Sequence, residues 1–163
     1  ALAYCNRLQF AQARERLQNA ADAASQRTWP VTQRTIDFLK RPAVLVVDDS
    51  ATIRDVLVRL LDGGGFLPIP VGDAWDVKSL AQTQSPSAIL LDVTMPIMDG
   101  YEVCRQLRAD KATKNIPVIM VSGHGGLIDK VSGKLAGASD YVCKPFKPDQ
   151  LLSLIRKHAT KAR

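Results

Sequence analysis

From Pro42 onward the chain alternates short apolar runs with amphipathic segments, and this alternation restricts its fold more than any other feature. The runs are 43–47, 66–71, 88–91, 117–121 and 139–143, each too short for a helix. Segments with helical spacing follow them at about 51–62, 74–83, 99–110, 126–136 and 148–159. Repeated strand-then-helix units of this kind predict an α/β, doubly wound (βα)5 domain with a parallel five-stranded sheet. The second run contains Pro68 and Pro70, which cannot donate ladder hydrogen bonds and so belong on an edge strand. In the order 2-1-3-4-5 the second strand is an edge. The triplet Gly63 to Gly65 reads as a helix stop, because glycine takes the left-handed conformation such a stop requires. It lacks the following Lys-Ser/Thr of a phosphate-binding loop.

The boundary at 42/43 divides the α/β domain, 43–163, from an N-terminal extension, 1–42. Residues 1–24 are rich in Ala, Leu, Gln and Arg, without Pro or Gly, and Phe10, Ala13, Leu17, Ala20 and Ala24 form one apolar stripe. An amphipathic helix lying on its own domain or on a dimer mate is expected there. The pattern also weakly resembles half of a tetratricopeptide repeat, which could not bury its face alone. Trp29-Pro30 ends the helix, and 25–42 reads as a linker. The chain opens on Ala inside a helical pattern, so 1–42 is expected to close a larger upstream domain. No output domain is expected after 148–159.

Charge and cysteine content exclude several classes. Residues 1–42 hold seven Lys/Arg against three acids, and the last eight residues hold four against none. The middle, 43–155, is left slightly acidic, with eleven Lys/Arg and thirteen acids, and carries no basic stripe for a nucleic acid. Cys5, Cys104 and Cys143 show no CxxC spacing, so they are expected to pack as small apolar residues in a reducing compartment. No apolar run approaches the ~20 residues of a membrane helix. A cytoplasmic protein without membrane insertion or direct nucleic-acid binding is expected.

Chemistry gathers where the apolar runs stop. Asp48 and Asp49 follow the first run, Asp92 the third, Ser122 the fourth and Lys144 the fifth. In a parallel sheet all carboxyl ends point one way, and these strands are consecutive in the order 2-1-3-4-5, so the five side chains converge on one crevice. Three carboxylates brought together repel unless a cation compensates them. Mg²⁺ suits such oxygen ligands. With Lys144 as a point charge and the Ser122 hydroxyl as a donor, the crevice fits an incoming phosphoryl group, with Asp92 as nucleophile. Taken singly, Asp48 and Asp49 also read as caps of the following helix, and Asp99-Gly100 reads as a turn and helix start outside the site.

These residues resemble the receiver domains of bacterial two-component response regulators. The matching pieces are Val-Leu-Val-Val-Asp48-Asp49-Ser, Leu-Leu-Asp92-Val-Thr-Met-Pro-Ile-Met-Asp-Gly, Ile-Pro-Val-Ile-Met-Val-Ser122-Gly and Ser-Asp-Tyr141-Val-Cys-Lys144-Pro145-Phe146. The resemblance spans 43 to about 160. It implies a flavodoxin-like fold and a phosphoryl group received on Asp92 from a histidine kinase or phosphotransfer protein. Asp49 is then a direct Mg²⁺ ligand, Asp48 acts mostly through water, and the backbone carbonyl of Thr94 adds another ligand. Ser122 and Lys144 meet the phosphoryl oxygens, the Lys144-Pro145 bond is cis, and Tyr141 is the aromatic that turns inward on activation. Thr94 and His124 flank the attacking water and modulate the lifetime of the phosphate. The expected partners are that donor, a downstream protein target, and a second copy. The second copy would meet the face formed by 126–136, the fifth strand and 148–159, or the N-terminal helix.

Plainer alternatives stand beside some of these roles. Gly123 to Gly126 reads as a flexible loop, Tyr141 as an edge-strand aromatic, and Leu127, Ile128, Val131 and Leu135 as residues facing the sheet. Two rival functions are an aspartate-nucleophile phosphohydrolase and a binding module that keeps the fold without the switch. The hydrolase pattern is Asp-x-Asp after the first strand, whereas here the two acids are adjacent.

Overall fold

The structure is a computed structural model, and it describes residues 40–123, 131, 132 and 134–159. The fold below is that of the unit Pro42–Arg163. The expected N-terminal helix, and with it any dimer contact through that helix, lies outside the described residues. So does most of the expected helix 126–136, of which Val131, Ser132, Lys134 and Leu135 are helical.

Five strands form one sheet: β1 (Ala43–Val47), β2 (Leu67–Val71), β3 (Ala88–Asp92), β4 (Val118–Ser122) and β5 (Asp140–Cys143). All neighbours are parallel, in the order β2-β1-β3-β4-β5. The helices are α1 (Ala51–Gly63), α2 (Trp75–Gln84), α3 (Gly100–Ala109) and α4 (Pro148–Ala159). β1, β3 and β4 are buried at every position, as expected where helices cover both faces of a parallel sheet. β2 and β5 are half-buried edges.

Alternate side chains along each strand enter two cores. On one face Leu45, Val47, Ile89, Leu91 and Met120 pack with Val77 and Ala81 of α2 and Val103, Cys104 and Leu107 of α3. On the other, Val44, Val46, Leu90, Ile119 and Val121 pack with Leu57 and Leu61 of α1 and Leu151 and Ile155 of α4. Cys104 is buried in the first core, which raises its thiol above the usual range. Cys143 is half-buried, and Cys5 lies outside the described residues.

Several expected boundaries shift. Phe66 is buried below the end of α1 and its N–H donates to Leu61 O (3.0 Å), so it still closes the helix and β2 begins at Leu67. Pro117 has no N–H and only accepts, from Ile89 N at 2.8 Å, so β4 begins one residue later. Asp92 and Ser122 are the last residues of their strands rather than the first residues beyond them. The left-handed residue of the glycine triplet is Gly65 (φ +86°), two places past the end of α1. Val131 and Leu135 do not face the sheet: both are exposed, Leu135 to 83%.

Candidate functional site

β1, β3, β4 and β5 bring their carboxyl ends to one edge, and backbone bonds carry the ladder past those ends. Asp48 N donates to Val71 O (3.2 Å), Val93 N to Val121 O (3.2 Å) and Lys144 N to Ser122 O (2.7 Å). Asp48, Asp92, Ser122 and Lys144 are therefore each anchored to a neighbouring strand through their own backbone or that of the next residue. Asp92 pairs with Val121 in the ladder, and Ser122 with Cys143.

At this edge Lys144 Nζ donates to Asp48 Oδ2 at 2.7 Å and to Asp92 Oδ1 at 2.9 Å. The two carboxylates are almost wholly buried, with residue exposures of 2% for Asp48 and 5% for Asp92. Asp48 Oδ1 accepts from Ser50 N at 2.9 Å, so this carboxylate supports the turn into α1 and the site at once. The cap of α1 itself is Ser50, whose hydroxyl accepts from Ile53 N. Asp49 is exposed and pairs with no cation among the described residues. Oxygens of Asp48, Asp49 and Asp92 all lie within 4.8 Å of one another.

Burial raises the Asp92 carboxyl above its ordinary value. Lys144 opposes that rise, and the Asp48 and Asp49 charges add to it. Burial works to lower the Lys144 ammonium, but its bonds to Asp48 and Asp92 outweigh burial and hold it above its ordinary value. Three carboxylates around one ammonium, which bonds only Asp48 and Asp92, leave an excess of negative charge among hard oxygen donors. That donor set fits Mg²⁺, which takes carboxylate oxygens and keeps several waters.

The remaining expected residues are distributed around this centre. Ser122 is buried at the end of β4. Thr94 is exposed, two residues beyond Asp92, and the Lys144-Pro145 bond is cis. Tyr141 is half-buried and packs on the core of Leu45, Leu91 and Met120. His124 lies outside the described residues. Asp99 stays out of the cluster: it is the N-cap of α3, accepting from Glu102 N at 2.7 Å. Sequence reasoning passed over Arg54, whose Nη1 donates to Asp48 O (2.6 Å) and Asp49 O (3.0 Å). The available signal was its place near the start of α1, where the helix dipole disfavours a cation.

A doubly wound parallel sheet with a carboxylate–lysine cluster at its carboxyl edge defines a class of α/β domains that bind ligands at that edge. Within that class the chain belongs to the response regulator receiver domain family, whose model matches residues 44–156. It is homologous to response regulators of two-component signalling. Protein PilG of Pseudomonas aeruginosa is 38% identical over 115 residues, 71% of this chain and 85% of that protein. The DNA-binding response regulator MtrA of Mycobacterium tuberculosis is 38% identical over 116 residues, 71% of this chain and 50% of that one. The chain thus spans about half the length of MtrA and of the ycf27 regulator of Guillardia theta.

Solved structures agree with the fold. Chemotaxis protein CheY4 of Vibrio cholerae is similar with TM-score 0.69 and 30% identity, over 72% of this chain and 98% of that one. The receiver domain of the sensor histidine kinase PA1611 of P. aeruginosa has TM-score 0.69 and 28% identity over 74% and 98%. That structure holds a magnesium ion in its active site cleft. No helix among the described residues is long and apolar enough to cross a membrane.

Proposed function

We propose that the chain is a Mg²⁺-dependent phosphorylation switch whose acceptor is Asp92. The observation that carries this reading is the Lys144 ammonium bridging Asp48 and Asp92, with three carboxylates inside 4.8 Å. The donor is a phosphohistidine of a histidine kinase or phosphotransfer protein. The P–O bond to an Asp92 oxygen forms as the P–N bond breaks, and the departing imidazole nitrogen keeps that bond's electron pair.

Asp48, Asp49, Asp92 and the backbone carbonyl of Thr94 would hold Mg²⁺, which when bound offsets charge on the carboxylates and the transferring group. Lys144 offers its ammonium and Ser122 its hydroxyl to the phosphoryl oxygens. Burial of Asp92 at the end of β3 excludes bulk water from the acyl phosphate. Thr94 and His124 set the access of the hydrolytic water and hence the phosphate lifetime. Tyr141 follows Ser122 inward, shifting the population of two surfaces rather than turning over an outside substrate.

The readout is a protein contact with a downstream target, without direct nucleic-acid binding by this chain. Exposed Val131 and Leu135, next in sequence to β5, support a homodimer or partner contact through that face. Self-catalysed phosphorylation and dephosphorylation, and a cytoplasmic location, belong to the same reading. The domain division 1–42 and 43–163 does too.

The test is incubation with Mg²⁺ and a small-molecule phosphodonor, followed by intact mass, for wild type and Asp92→Asn. Wild type gains one acid-stable, base-labile phosphate and the variant gains none. No gain by wild type, or equal gain by both, overturns the reading. Steady turnover of many phosphorylated metabolites would point instead to a phosphohydrolase.

A further inference from the structure

We infer that Arg54, seated over Gly72, is the positioning residue that aims Asp49 at the metal site. The inference rests on the proposed Mg²⁺ site and adds to it a residue that touches neither metal nor phosphate.

The argument starts from the peptide planes. Asp48 O belongs to the peptide before the Asp49 Cα and Asp49 O to the peptide after it. Both carbonyls accept from the same guanidinium nitrogen, Arg54 Nη1, at 2.6 and 3.0 Å. The second peptide is also held at its other end, because Ser50 N donates to Asp48 Oδ1. With both flanking planes fixed, the direction in which the Asp49 Cα projects its side chain is fixed too. Asp48 has several other anchors: its N–H on Val71 O, and its carboxylate on Ser50 N and Lys144 Nζ. Asp49 is exposed, and its carboxylate has no ion pair among the described residues, so its aim depends on Arg54.

Arg54 meets Asp48 and Asp49 at their backbone carbonyls and not at their carboxylates. Its position is set from the other side by β2. A Cβ built on Gly72, the residue after that strand, would lie 3.1 Å from Arg54 Nη1 and 3.2 Å from its Cζ. That is too close for an undisturbed guanidinium. The one strand that sends no polar side chain into the crevice thus contributes a bare backbone seat. Near the N-terminal end of α1 a cation opposes the helix dipole. Its two bonds to carbonyls, both from Nη1, compensate for that placement, and lysine, a point donor on a flexible stem, reproduces them only in part.

The test is the Mg²⁺ dissociation constant, by isothermal titration calorimetry without phosphodonor, for wild type, Arg54→Met, Arg54→Lys and Gly72→Ala. Melting temperatures are measured in parallel. Arg54→Met weakens Mg²⁺ by about tenfold, the usual size for loss of a group that orients a metal ligand. Arg54→Lys recovers part of that loss. Gly72→Ala keeps the guanidinium chemically intact but displaces it, and falls between wild type and Arg54→Met. A merely structural role would lower the melting temperature of all three variants and leave the Mg²⁺ constant alone. Wild-type affinity in folded Arg54→Met and Gly72→Ala overturns the role of Arg54 while the metal site stands. Failure of wild type itself to bind Mg²⁺ overturns the metal site and this inference with it.

Discussion

Arg54 and Arg108 are placed alike at opposite edges of the sheet, and they serve different ends. Each reaches from a helix to backbone carbonyls in the loops, and each lies against a glycine whose Cβ would crowd it. Arg54, at the carboxyl edge, holds Asp48 O and Asp49 O and sits on Gly72. Arg108, at the amino edge, donates to Gly137 O (2.7 Å), Lys114 O (3.0 Å) and Ile116 O (2.9 Å), and a Cβ on Gly137 would come within 2.8 Å of its Cγ. The carbonyls held by Arg108 belong to loops that feed β4 and β5. Those held by Arg54 flank Asp49, one of the three clustered carboxylates. The same side chain in the same kind of seat is therefore scaffold in one place and a site support in the other.

Four substitutions sharpen or break this contrast. The largest effect is expected at the carboxyl edge itself. Lys144→Met should slow phosphate incorporation by about a hundredfold or more, the scale of losing one positioned electrostatic donor, as read by intact mass against time. A rate within a fewfold of wild type would remove Lys144 from the chemistry.

At the amino edge, Arg108→Met should cost about 2–4 kcal/mol of unfolding free energy, since two part-buried charge-assisted bonds and one exposed one vanish together. Its Mg²⁺ constant should match wild type in the same calorimetry. A weakened constant in the folded variant would erase the distinction between the two arginines. Gly137→Ala should reproduce the stability loss on a smaller scale, of about 1–3 kcal/mol, because it takes φ +89° as well as crowding Arg108.

The smallest effect concerns acid. Burial works to raise Asp140, at the start of β5, but bonds from His158, the Tyr141 N–H and Lys157 outweigh it and hold its carboxyl below the usual range. A depressed folded value means that the unfolded chain binds the proton more tightly. The stabilisation is thus present above the unfolded value and fades as pH falls through the folded one. Asp140→Asn should flatten the decline in melting temperature below about pH 4 while leaving Mg²⁺ binding unchanged. An unchanged acid limb would show that Asp140 contributes nothing there.

Much of this molecule was readable before any coordinate, for a physical reason. β1, β3 and β4 must be apolar throughout because helices cover both faces, so a polar residue at their ends stands out. Asp48, Asp92 and Ser122 were visible on that account. Pro68 and Pro70 marked β2 as an edge because each lacks an N–H. Arg54 and Gly72 were hidden, because one works through carbonyls, which every residue carries, and the other through a side chain it does not have. Val131 and Leu135 misled in the opposite direction. Their helical spacing suggests a face turned to the sheet, but spacing alone does not say whether an apolar stripe meets the core or solvent.

The two prolines of β2 have one more consequence. Leu67 N points inward, donating to Pro42 O at 2.9 Å, and directions alternate along a strand, so Ile69 and Val71 also aim toward β1. The outward positions are those of Pro68 and Pro70, and neither can donate. The rim of the sheet on that side offers acceptors alone. A foreign strand laid against it would find half of its ladder missing, so the sheet is guarded there against growing by templated stacking into a polymer.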